Sequence, residues 1–430
     1  MDKTYYFISD LHIGGDEALG VCDYEAELLE FLRKLSVQEE DLELVILGDI
    51  FGMWEFTDIE GPQKLQALIG QFPKIFEAFR SAGEKIKITL LPGNHDYEIA
   101  CYPQFVEVLK NFNVTLEQRP SIVRELGGKK IWVEHGNQHD DFNKMPDFGN
   151  PFALPVGYFI TSGLVSGAGK RSQFGRNDWL KDIQSVYPTE EIPYWVLSNY
   201  FYREMSPWLR WIILPFLVLS GLTTFVLAGG ALEWLGITQT NIFLHNGLFT
   251  SLGYLGNLVQ IVLMVNAVVL LVLAFLFVPL SFILRDIKKT LKRFRLMTHP
   301  DEITSGQEKG YLDAAQAVFD NDPDTVVFVY GHTHIPSLRM LGKRAVINTG
   351  TWLKRLVRAR VRFGYLPDIY VPFYYLDYFR ISLVDGAIAI DFQMIPKAQP
   401  RELDLLQQIL TSMKRRRTED HIPERTILEV

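Results

Sequence analysis

The chain has 430 residues, of which 48% are hydrophobic, and its 43 basic and 51 acidic residues give a net charge of −8. This composition excludes an intrinsically disordered chain, and the acidic balance argues against a general nucleic-acid binder, which would carry a basic excess. Two cysteines, Cys22 and Cys101, are too few for a disulfide scaffold or a cysteine-based zinc site. At about 150 residues per domain, the length predicts two or three domains.

Five apolar, partly β-branched runs along the chain predict buried strands, and each run is followed by residue types that bind metals. In chain order the runs are TYYFI, LELVIL, IKITLLP, KKIWVE and TVVFVY. Ligands of open α/β sheets bind beyond the carboxyl ends of the strands, so we expect the residues after these runs to converge. Each short pattern alone is more often a turn, but the ordered combination with adjacent glycines indicates a site. The residues that follow the runs are Asp10, His12, Asp49, Asn94, His95, Asp96, His135, His332 and His334.

The series D-x-H, G-D, G-N-H-D, H and G-H-x-H, spanning Asp10 to His334, resembles the signature of the calcineurin-like metallophosphoesterase superfamily. The resemblance implies an α/β fold, a four-layer α/β/β/α sandwich of two mixed sheets, with two divalent metal ions at one rim. By the same resemblance, Asp49 and a water or hydroxide would bridge the two ions. The first ion would be held by Asp10, His12, Asp49 and His334, and the second by Asp49, Asn94, His135 and His332.

Oxygen and imidazole ligands without thiolate suit Mn, Fe, Zn or Co, and we expect Mn with the other three as alternatives. Two such ions activate a bridging hydroxide for attack on phosphorus. The resemblance implies that His95 is the general acid for the leaving oxygen and that Asp96 orients its imidazole. Because superfamily members that serve only as scaffolds tend to lose this histidine, His95 favours a metal-dependent phosphoric ester hydrolase over a non-catalytic scaffold.

Two segments, GDIFGMWEF and HGNQHDDFN, partly resemble the UDP-2,3-diacylglucosamine hydrolase branch, lipid A pathway enzymes that cleave a pyrophosphate at the membrane surface. That branch typically carries Arg at the position of His95, so the likeness indicates the class of substrate and not membership of the branch. His139 is a candidate substrate contact, with a surface or core-edge histidine as the alternative. The Gly-rich basic segment GAGKRSQFGRN is either a phosphate-binding loop or a flexible linker, and its candidate ligands are Lys170, Arg171 and Arg176.

Two long apolar runs in the middle of the chain predict a transmembrane hairpin. Neither Trp211 to Leu232 nor Trp234 to Leu284 contains an Asp, Glu, Lys or Arg. A bilayer core needs about 20 apolar residues in a helix, and we expect spans at about 211–232 and 258–284. A buried pair of core helices is the alternative, which the second run disfavours because it is apolar on all sides.

Basic residues flank the hairpin on both outer ends, with Arg203 and Arg210 before it and six between Arg285 and Arg295 after it. The positive-inside rule therefore predicts that the catalytic domain and both termini face the cytoplasm. We expect an integral protein of the bacterial plasma membrane, with no signal peptide, that has the lipid bilayer and a phosphorylated or lipid-linked substrate as partners and no nucleic acid. The hairpin is also a candidate homo-oligomer contact.

The predicted organisation is one catalytic domain in two parts, residues 1–204 and 296–400, interrupted by the hairpin with its flanks, residues 205–295. Residues 401–430 are predicted to form an amphipathic and basic tail. The basic and aromatic segment 354–380 is either a membrane-surface segment or a strand pair of the second sheet. We expect hydrolysis of a phosphodiester or pyrophosphate bond of a lipid or lipid-linked substrate. The alternative is a phosphodiesterase or phosphatase for soluble nucleotides or phosphoproteins, with the hairpin as a tether.

Overall fold

The structure is a computed structural model that describes residues 3–16, 20, 22–165, 167, 180, 182–186, 191–239, 242–243, 247–293, 300–361, 366–412 and 422–429. The chain divides into two compact units. The larger unit comprises Met1–Arg203, Pro300–Arg362 and Pro367–Val430, and the smaller unit comprises Glu204–His299 and Phe363–Leu366.

The described strands all belong to the larger unit. Their bounds are β1 Thr4–Ile8, β2 Leu42–Ile46, β3 Lys87–Leu90, β4 Val114–Leu116, β5 Ser121–Leu126, β6 Lys129–Glu134, β7 Thr325–Tyr330, β8 Ser337–Leu341, β9 Arg344–Asn348, β10 Lys354–Ala359, β11 Ile369–Tyr374, β12 Leu376–Val384, β13 Ala387–Ile395 and β14 Arg425–Leu428. The five strands predicted before the metal-binding residue types are β1, β2, β3, β6 and β7.

The strands form two large mixed sheets and a small one. The seven-stranded sheet has the order β14-β13-β12-β1-β2-β3-β4, with β1 to β4 parallel and β12 antiparallel to β1. The five-stranded sheet has the order β5-β6-β7-β9-β8, with β6, β7 and β9 parallel to one another and the edge strands β5 and β8 antiparallel to β6 and β9. Among the described residues, β10 and β11 form a two-stranded sheet of their own.

The described α-helices are α1 Glu25–Ser36, α2 Pro62–Gln71, α3 Pro73–Gly83, α4 Gln104–Lys110, α5 Val156–Ile160, α6 Ile192–Asn199, α7 Pro207–Trp234, α8 Gly247–Thr250, α9 Gly253–Arg293, α10 Pro300–Asn321 and α11 Leu405–Ser412. Short 3₁₀ turns cover Tyr97–Ala100, Asn137–His139 and Ile183–Ser185, and π turns cover Thr161–Val165 and Tyr200–Glu204.

The packing of the larger unit follows from the alternation of side chains along its strands. On β1, Tyr6 and Ile8 pack in the cluster that also contains the buried faces of α1 and α3. Tyr5 and Phe7 point to the other side, into a cluster that joins the two sheets. A further cluster packs α10 against β7 and β9. Helix, sheet, sheet and helix therefore follow one another, which confirms the predicted α/β class with two mixed sheets.

Two expectations about the C-terminal part need correction. Residues 425–428 are not part of a tail, because β14 pairs with β13 and forms the edge of the seven-stranded sheet. The segment 354–380 does form strands, but β10 and β11 make a separate two-stranded sheet rather than joining the five-stranded one. Basic residues of this sheet meet acids, since Arg358 lies 2.7 Å from Asp368 and 2.9 Å from Glu191.

The smaller unit contains two described helices, within α7 and α9, that are long and apolar enough to cross a membrane by length and composition. The candidate spans are Pro215–Trp234 and Gly253–Ile287. A polar contact joins the two helices: Asn266 Nδ2 donates to Thr223 Oγ1 over 2.8 Å, and both side chains are buried. At the end of α7, Glu233 accepts from the backbone N–H groups of Ile242 and Phe243 and so satisfies donors that hydrocarbon would leave unpaired.

Candidate metal centre

The topology brings the five predicted ligand segments to one place. β1, β2 and β3 are parallel neighbours in one sheet, and β6 and β7 are parallel neighbours in the other. Parallel neighbours end at the same edge of a sheet, so the loops after these strands meet. Three groups result, in each of which the potential ligand atoms lie within 4.8 Å of one another. Two are triads of predicted ligands: Asp10 with His12 and His334, and Asp49 with His135 and His332. The third consists of His12, Glu55 and His95.

The first triad is held tightly around Asp10. Oδ1 of Asp10 lies 3.3 Å from Nε2 of His334 and 3.8 Å from Nε2 of His12. The other oxygen, Oδ2, accepts from Ser9 Oγ and from the backbone N–H of His332. Burial opposes ionisation of Asp10, but its contacts with His12 and His334 outweigh that effect and lower its pKa well below the usual range. Asp10 therefore keeps one anionic oxygen directed at two imidazoles.

Asp49 occupies the position between the two triads. Its Oδ2 lies 3.7 Å from Nε2 of His12 and 3.3 Å from Nε2 of His135, while Oδ1 accepts from the backbone N–H of His95 at 2.7 Å. Burial opposes the charge on Asp49, yet the nearby imidazoles, His135 foremost, lower its pKa. A single carboxylate oxygen facing both triads has the position that a bridging ligand needs.

The second triad is oriented by groups behind it. Nδ1 of His135 lies 2.7 Å from the backbone oxygen of Leu47, which directs Nε2 towards Oδ1 of Asn94 at 3.1 Å. Nε2 of His332 lies 3.0 Å from Oδ2 of Asp140, which leaves Nδ1 of this ring as the ligand atom. Such carbonyl and carboxylate contacts fix the tautomer of a metal-binding histidine. The contribution of Asp140 escaped the sequence reasoning, although it lies five residues after His135.

Backbone strain is concentrated at the ligands. Seven described non-glycine residues have positive φ, and five of them are candidate ligands. Left-handed backbone costs such residues about 1–3 kcal/mol each and persists where the surroundings over-determine it, often at functional sites. The five are Asp10, His12, Asp49, His332 and His334.

Two motif glycines are required by close packing. A Cβ atom on Gly93 would lie 2.1 Å from Asp49 Oδ1, and one on Gly331 would lie 2.3 Å from Ser9 Oγ. The glycines of G-N-H-D and G-H-x-H therefore let two loops approach the carboxylates of Asp49 and Asp10 directly.

The donor set fits divalent cations. Asp10 Oδ1 is buried and faces the imidazoles of His12 and His334, but it accepts no hydrogen bond within the described part of the chain. A buried carboxylate oxygen without a hydrogen bond costs free energy unless a cation compensates it. Carboxylate, amide and imidazole donors without thiolate are those of Mn, Fe, Zn or Co. The division of the ligands between two ions stays a prediction, and the two triads are the groups that would hold them.

His95 lies beside this cluster, and its partner is Glu55. The ring of His95 packs between His12 and Trp54, with ring centroids 4.6 Å from each. Its Nδ1 lies 2.9 Å from Oε1 of the buried Glu55. Burial opposes protonation, but the charge of Glu55, followed by those of Asp49 and Asp10, raises the pKa of His95 to about 9. Bound cations would lower it again.

The expected role of Asp96 is wrong, because its carboxylate does not orient His95. Oδ2 of Asp96 accepts from the backbone N–H groups of Ile50 and Phe51, and Oδ1 accepts from that of Gly93. Asp96 thus joins the loop after β2 to the loop after β3. Glu55 takes the orienting role instead. The available sequence signal was an isolated acid in the otherwise apolar stretch FGMWEF.

A cavity opens from the metal-ligand cluster, and its walls differ in character. One wall consists of His12, Asp49, Glu55, Asn94, His95, His332 and His334. The other is mostly apolar and comes from the segment after β6. It consists of Phe142, Asn143, Gly157, Ile160, Thr161, Ile183, Val186 and Ile192. The sequence reasoning did not identify this apolar wall.

Of the four predicted substrate-binding residues, the structure describes His139, which does not line the cavity. His139 lies 2.6 Å from Glu134 and packs on the ring of Tyr311, and it is absent from the cavity lining. Its position is that of the core-edge histidine considered as the alternative. The other three candidates, Lys170, Arg171 and Arg176, lie outside the described residues.

Comparison with known proteins supports the same assignment. A family model for calcineurin-like phosphoesterases matches residues 3–182, which include every candidate ligand before the apolar helices. The DNA polymerase II small subunit of Methanothermobacter thermautotrophicus is 28% identical over 159 residues, 33% of this chain and 32% of that protein. The match thus spans about a third of that relative's length.

Solved structures with detectable similarity are distant. A conserved protein of Streptococcus pneumoniae TIGR4, described as a predicted phosphoesterase, aligns over 93% of this chain and 97% of its own at 11% identity, with a TM-score of 0.28. Zinc-complexed Vps29 of Entamoeba histolytica aligns over 92% of this chain and 96% of its own at 8% identity, with a TM-score of 0.29. Phosphopantetheinyl hydrolase of Mycobacterium tuberculosis aligns over 86% of this chain and 96% of its own at 11% identity, with a TM-score of 0.28. TM-scores this low support no structural argument.

The site consists of two carboxylate–imidazole triads with a histidine beside them, at the carboxyl ends of strands from two facing mixed sheets. This arrangement is that of a metal-dependent hydrolase. The motifs and the family match make the class more specific. Residues 3–182 match the calcineurin-like phosphoesterase family, and this match together with the ligand triads supports a metal-dependent phosphoesterase.

Proposed function

We propose that this protein is a membrane-anchored dimetal phosphoesterase that hydrolyses a phosphodiester or pyrophosphate bond of a lipid or lipid-linked substrate. One observation carries the choice of substrate: the cavity lined by the metal-ligand cluster is also lined by apolar side chains. Ile183, Val186 and Ile192 of the apolar wall are buried, so it belongs to the packed interior rather than to a loose surface. A substrate with an apolar part next to its phosphoryl group matches both walls.

In the proposed mechanism, the two triads together with Asn94 would hold two divalent ions, which we propose to be Mn. When bound, these ions would supply an activated water and neutralise charge on the phosphoryl oxygens. The protein's own residues do the rest. Asp49 holds the two ligand sets together, and its second oxygen fixes the backbone of His95. Glu55 keeps the His95 ring oriented and favours its protonated form, so that the ring can donate a proton to the leaving oxygen.

The membrane anchor rests on the two apolar helices and their basic flanks. We propose that the larger unit faces the cytoplasm and that the turn between the helices lies on the opposite side. A membrane-impermeant maleimide applied to intact cells should label Gln239→Cys, which lies after the first helix, and should label Lys85→Cys only after permeabilisation. The reverse pattern would contradict this topology.

The substrate proposal is tested with full-length protein in detergent micelles, loaded with Mn²⁺, on phosphodiesters that share one head group and differ in acyl-chain length. Each buried methylene contributes about 0.8 kcal/mol, close to fourfold in kcat/KM. We expect kcat/KM to rise with chain length and Val186→Ser and Ile183→Ser to weaken that rise. Val37→Ser is the matched control, because Val37 is 66% exposed and outside the cavity.

The same assay distinguishes the alternative, a phosphodiesterase or phosphatase for soluble nucleotides or phosphoproteins. That function predicts a kcat/KM that does not depend on acyl-chain length and does not change in Val186→Ser. Such a result would contradict the lipid substrate while leaving the phosphoesterase assignment intact.

A further inference from the structure

The segment that supplies much of the apolar cavity wall also presents apolar side chains to the outside. Phe152 is 90% exposed and Phe159 is 64% exposed, and Val156 on the same short helix is 51% exposed. These residues lie in a stretch, from Phe148 to Gly169, that contains no Asp, Glu, Lys or Arg. Single exposed apolar residues are ordinary, but three in a charge-free segment at a cavity indicate an interaction surface.

A second helix has the same two-sided character. In α6, Ile192 lines the cavity, while Leu197 is 57% exposed and Tyr194 is 41% exposed. The π turn Tyr200–Glu204 continues this helix, and Tyr200 is also exposed. The chain from Ile192 to Tyr202 again carries no charge.

Both helices therefore place one face in the cavity and an apolar face outside. In α5 the cavity residues are Gly157 and Ile160, and the exposed residues are Val156 and Phe159. We define the exposed set, Phe152, Val156, Phe159, Tyr194, Leu197 and Tyr200, as the collar.

We propose that the collar lies in the headgroup and outer acyl region of the bilayer, so that a lipid substrate passes from the membrane into the cavity without crossing water. This inference rests on the proposed function, because it adds the route by which the proposed substrate reaches the site.

Two observations favour a bilayer over a protein partner. The collar consists of Phe, Tyr, Leu and Val in charge-free sequence, a composition that suits the boundary between headgroups and acyl chains. The chain also runs from α6 into the apolar helix α7 after seven residues. The collar is thus covalently continuous with a candidate membrane span.

The test uses full-length protein with Cys22→Ser and Cys101→Ser, reconstituted in phosphatidylcholine and phosphatidylglycerol vesicles. Phe152→Cys and Phe159→Cys are each labelled with an environment-sensitive fluorophore, and a fraction of the lipid carries a doxyl quencher on the acyl chain. We expect at least twofold quenching at both collar positions and little at Val37→Cys, a 66% exposed site on the same unit. Equal quenching at all three positions would overturn the proposal.

A kinetic measurement complements the spectroscopic one. Phe152→Glu with Phe159→Glu should raise KM about tenfold for a diacyl phosphodiester embedded in vesicles and leave kcat/KM for a short-chain soluble analogue unchanged. An unchanged KM in vesicles would overturn the role in substrate entry. The quenching experiment needs no substrate, so it tests the membrane contact of the collar separately from the lipid substrate. Either proposal can therefore fail while the other is supported.

Discussion

Replacing Glu55 by Gln tests whether this residue prepares His95 for proton donation. Oε1 of Glu55 lies 2.9 Å from Nδ1 of His95, and the Glu55 side chain is fully buried. Gln keeps the size of the side chain and one oxygen acceptor but removes the charge. The backbone of His95 stays fixed by Asp49, so the change acts on the imidazole rather than on the loop.

The expected loss follows from the type of contact. A hydrogen bond to a charged group contributes about 1.5–3 kcal/mol, and 1.36 kcal/mol corresponds to a factor of ten in rate. Glu55→Gln should therefore lower kcat by about 10- to 150-fold for a phosphodiester with an alkyl leaving group. A p-nitrophenyl ester should lose much less, because its leaving group departs without a proton.

The assay compares these two esters at constant pH and measures bound metal by mass spectrometry. Glu43→Gln is the matched control, because Glu43 is an equally buried carboxylate that pairs with Arg124 at 2.8 Å outside the cavity. It should reduce thermal stability and leave the ratio of the two rates unchanged. If Glu55→Gln lowered both rates equally, or lost metal, the proposed role of Glu55 would be refuted.

Three further predictions concern other parts of the molecule. His95→Ala should lower turnover of the alkyl ester by about 10²- to 10⁴-fold while bound metal is retained, and combining it with Glu55→Gln should add little; an unchanged rate would remove His95 from the reaction. Asp49→Asn should reduce bound metal measured by mass spectrometry from two ions per chain to fewer than one, because its Oδ2 faces both triads; two retained ions would contradict the bridging position. Asn266→Leu should destabilise the smaller unit by about 0.6–1.7 kcal/mol in detergent unfolding, whereas Val268→Leu, at an exposed apolar position, should not.

Much of the metal centre could be predicted because its strands are buried. Val45 and Leu44 of β2 face opposite clusters, so both faces of the strand are covered and the sequence is a continuous apolar run. The polar residue that ends such a run is conspicuous, and Asp49 is one. The convergence of five such ends then follows from the parallel strands within each sheet and from the packing of the two sheets on each other.

The groups behind the ligands could not be found in this way. Glu55 reaches His95 from the loop after β2, which is joined to Asp96 by hydrogen bonds from the backbone N–H groups of Ile50 and Phe51. His139 turns away from the cavity because the chain after His135 passes through Gly136 with a φ of 107° and enters a 3₁₀ turn. Loop geometry of this kind depends on tertiary contacts, which a local residue pattern does not encode.

The position of the apolar hairpin has a physical explanation in the topology. β6 and β7 are parallel neighbours, so the chain between them must cross over the sheet in any case, and α10 packs on β7 as a crossover helix does. Roughly 190 residues separate the two strands, against about 30 for an ordinary unit of this type. The additional loop-closure entropy is about 1.6 kcal/mol, because the cost grows only with the logarithm of length. His135 and His332 follow adjacent strands whatever the connection contains, so the fold can accept two long apolar helices at this point without separating the ligands of the second triad.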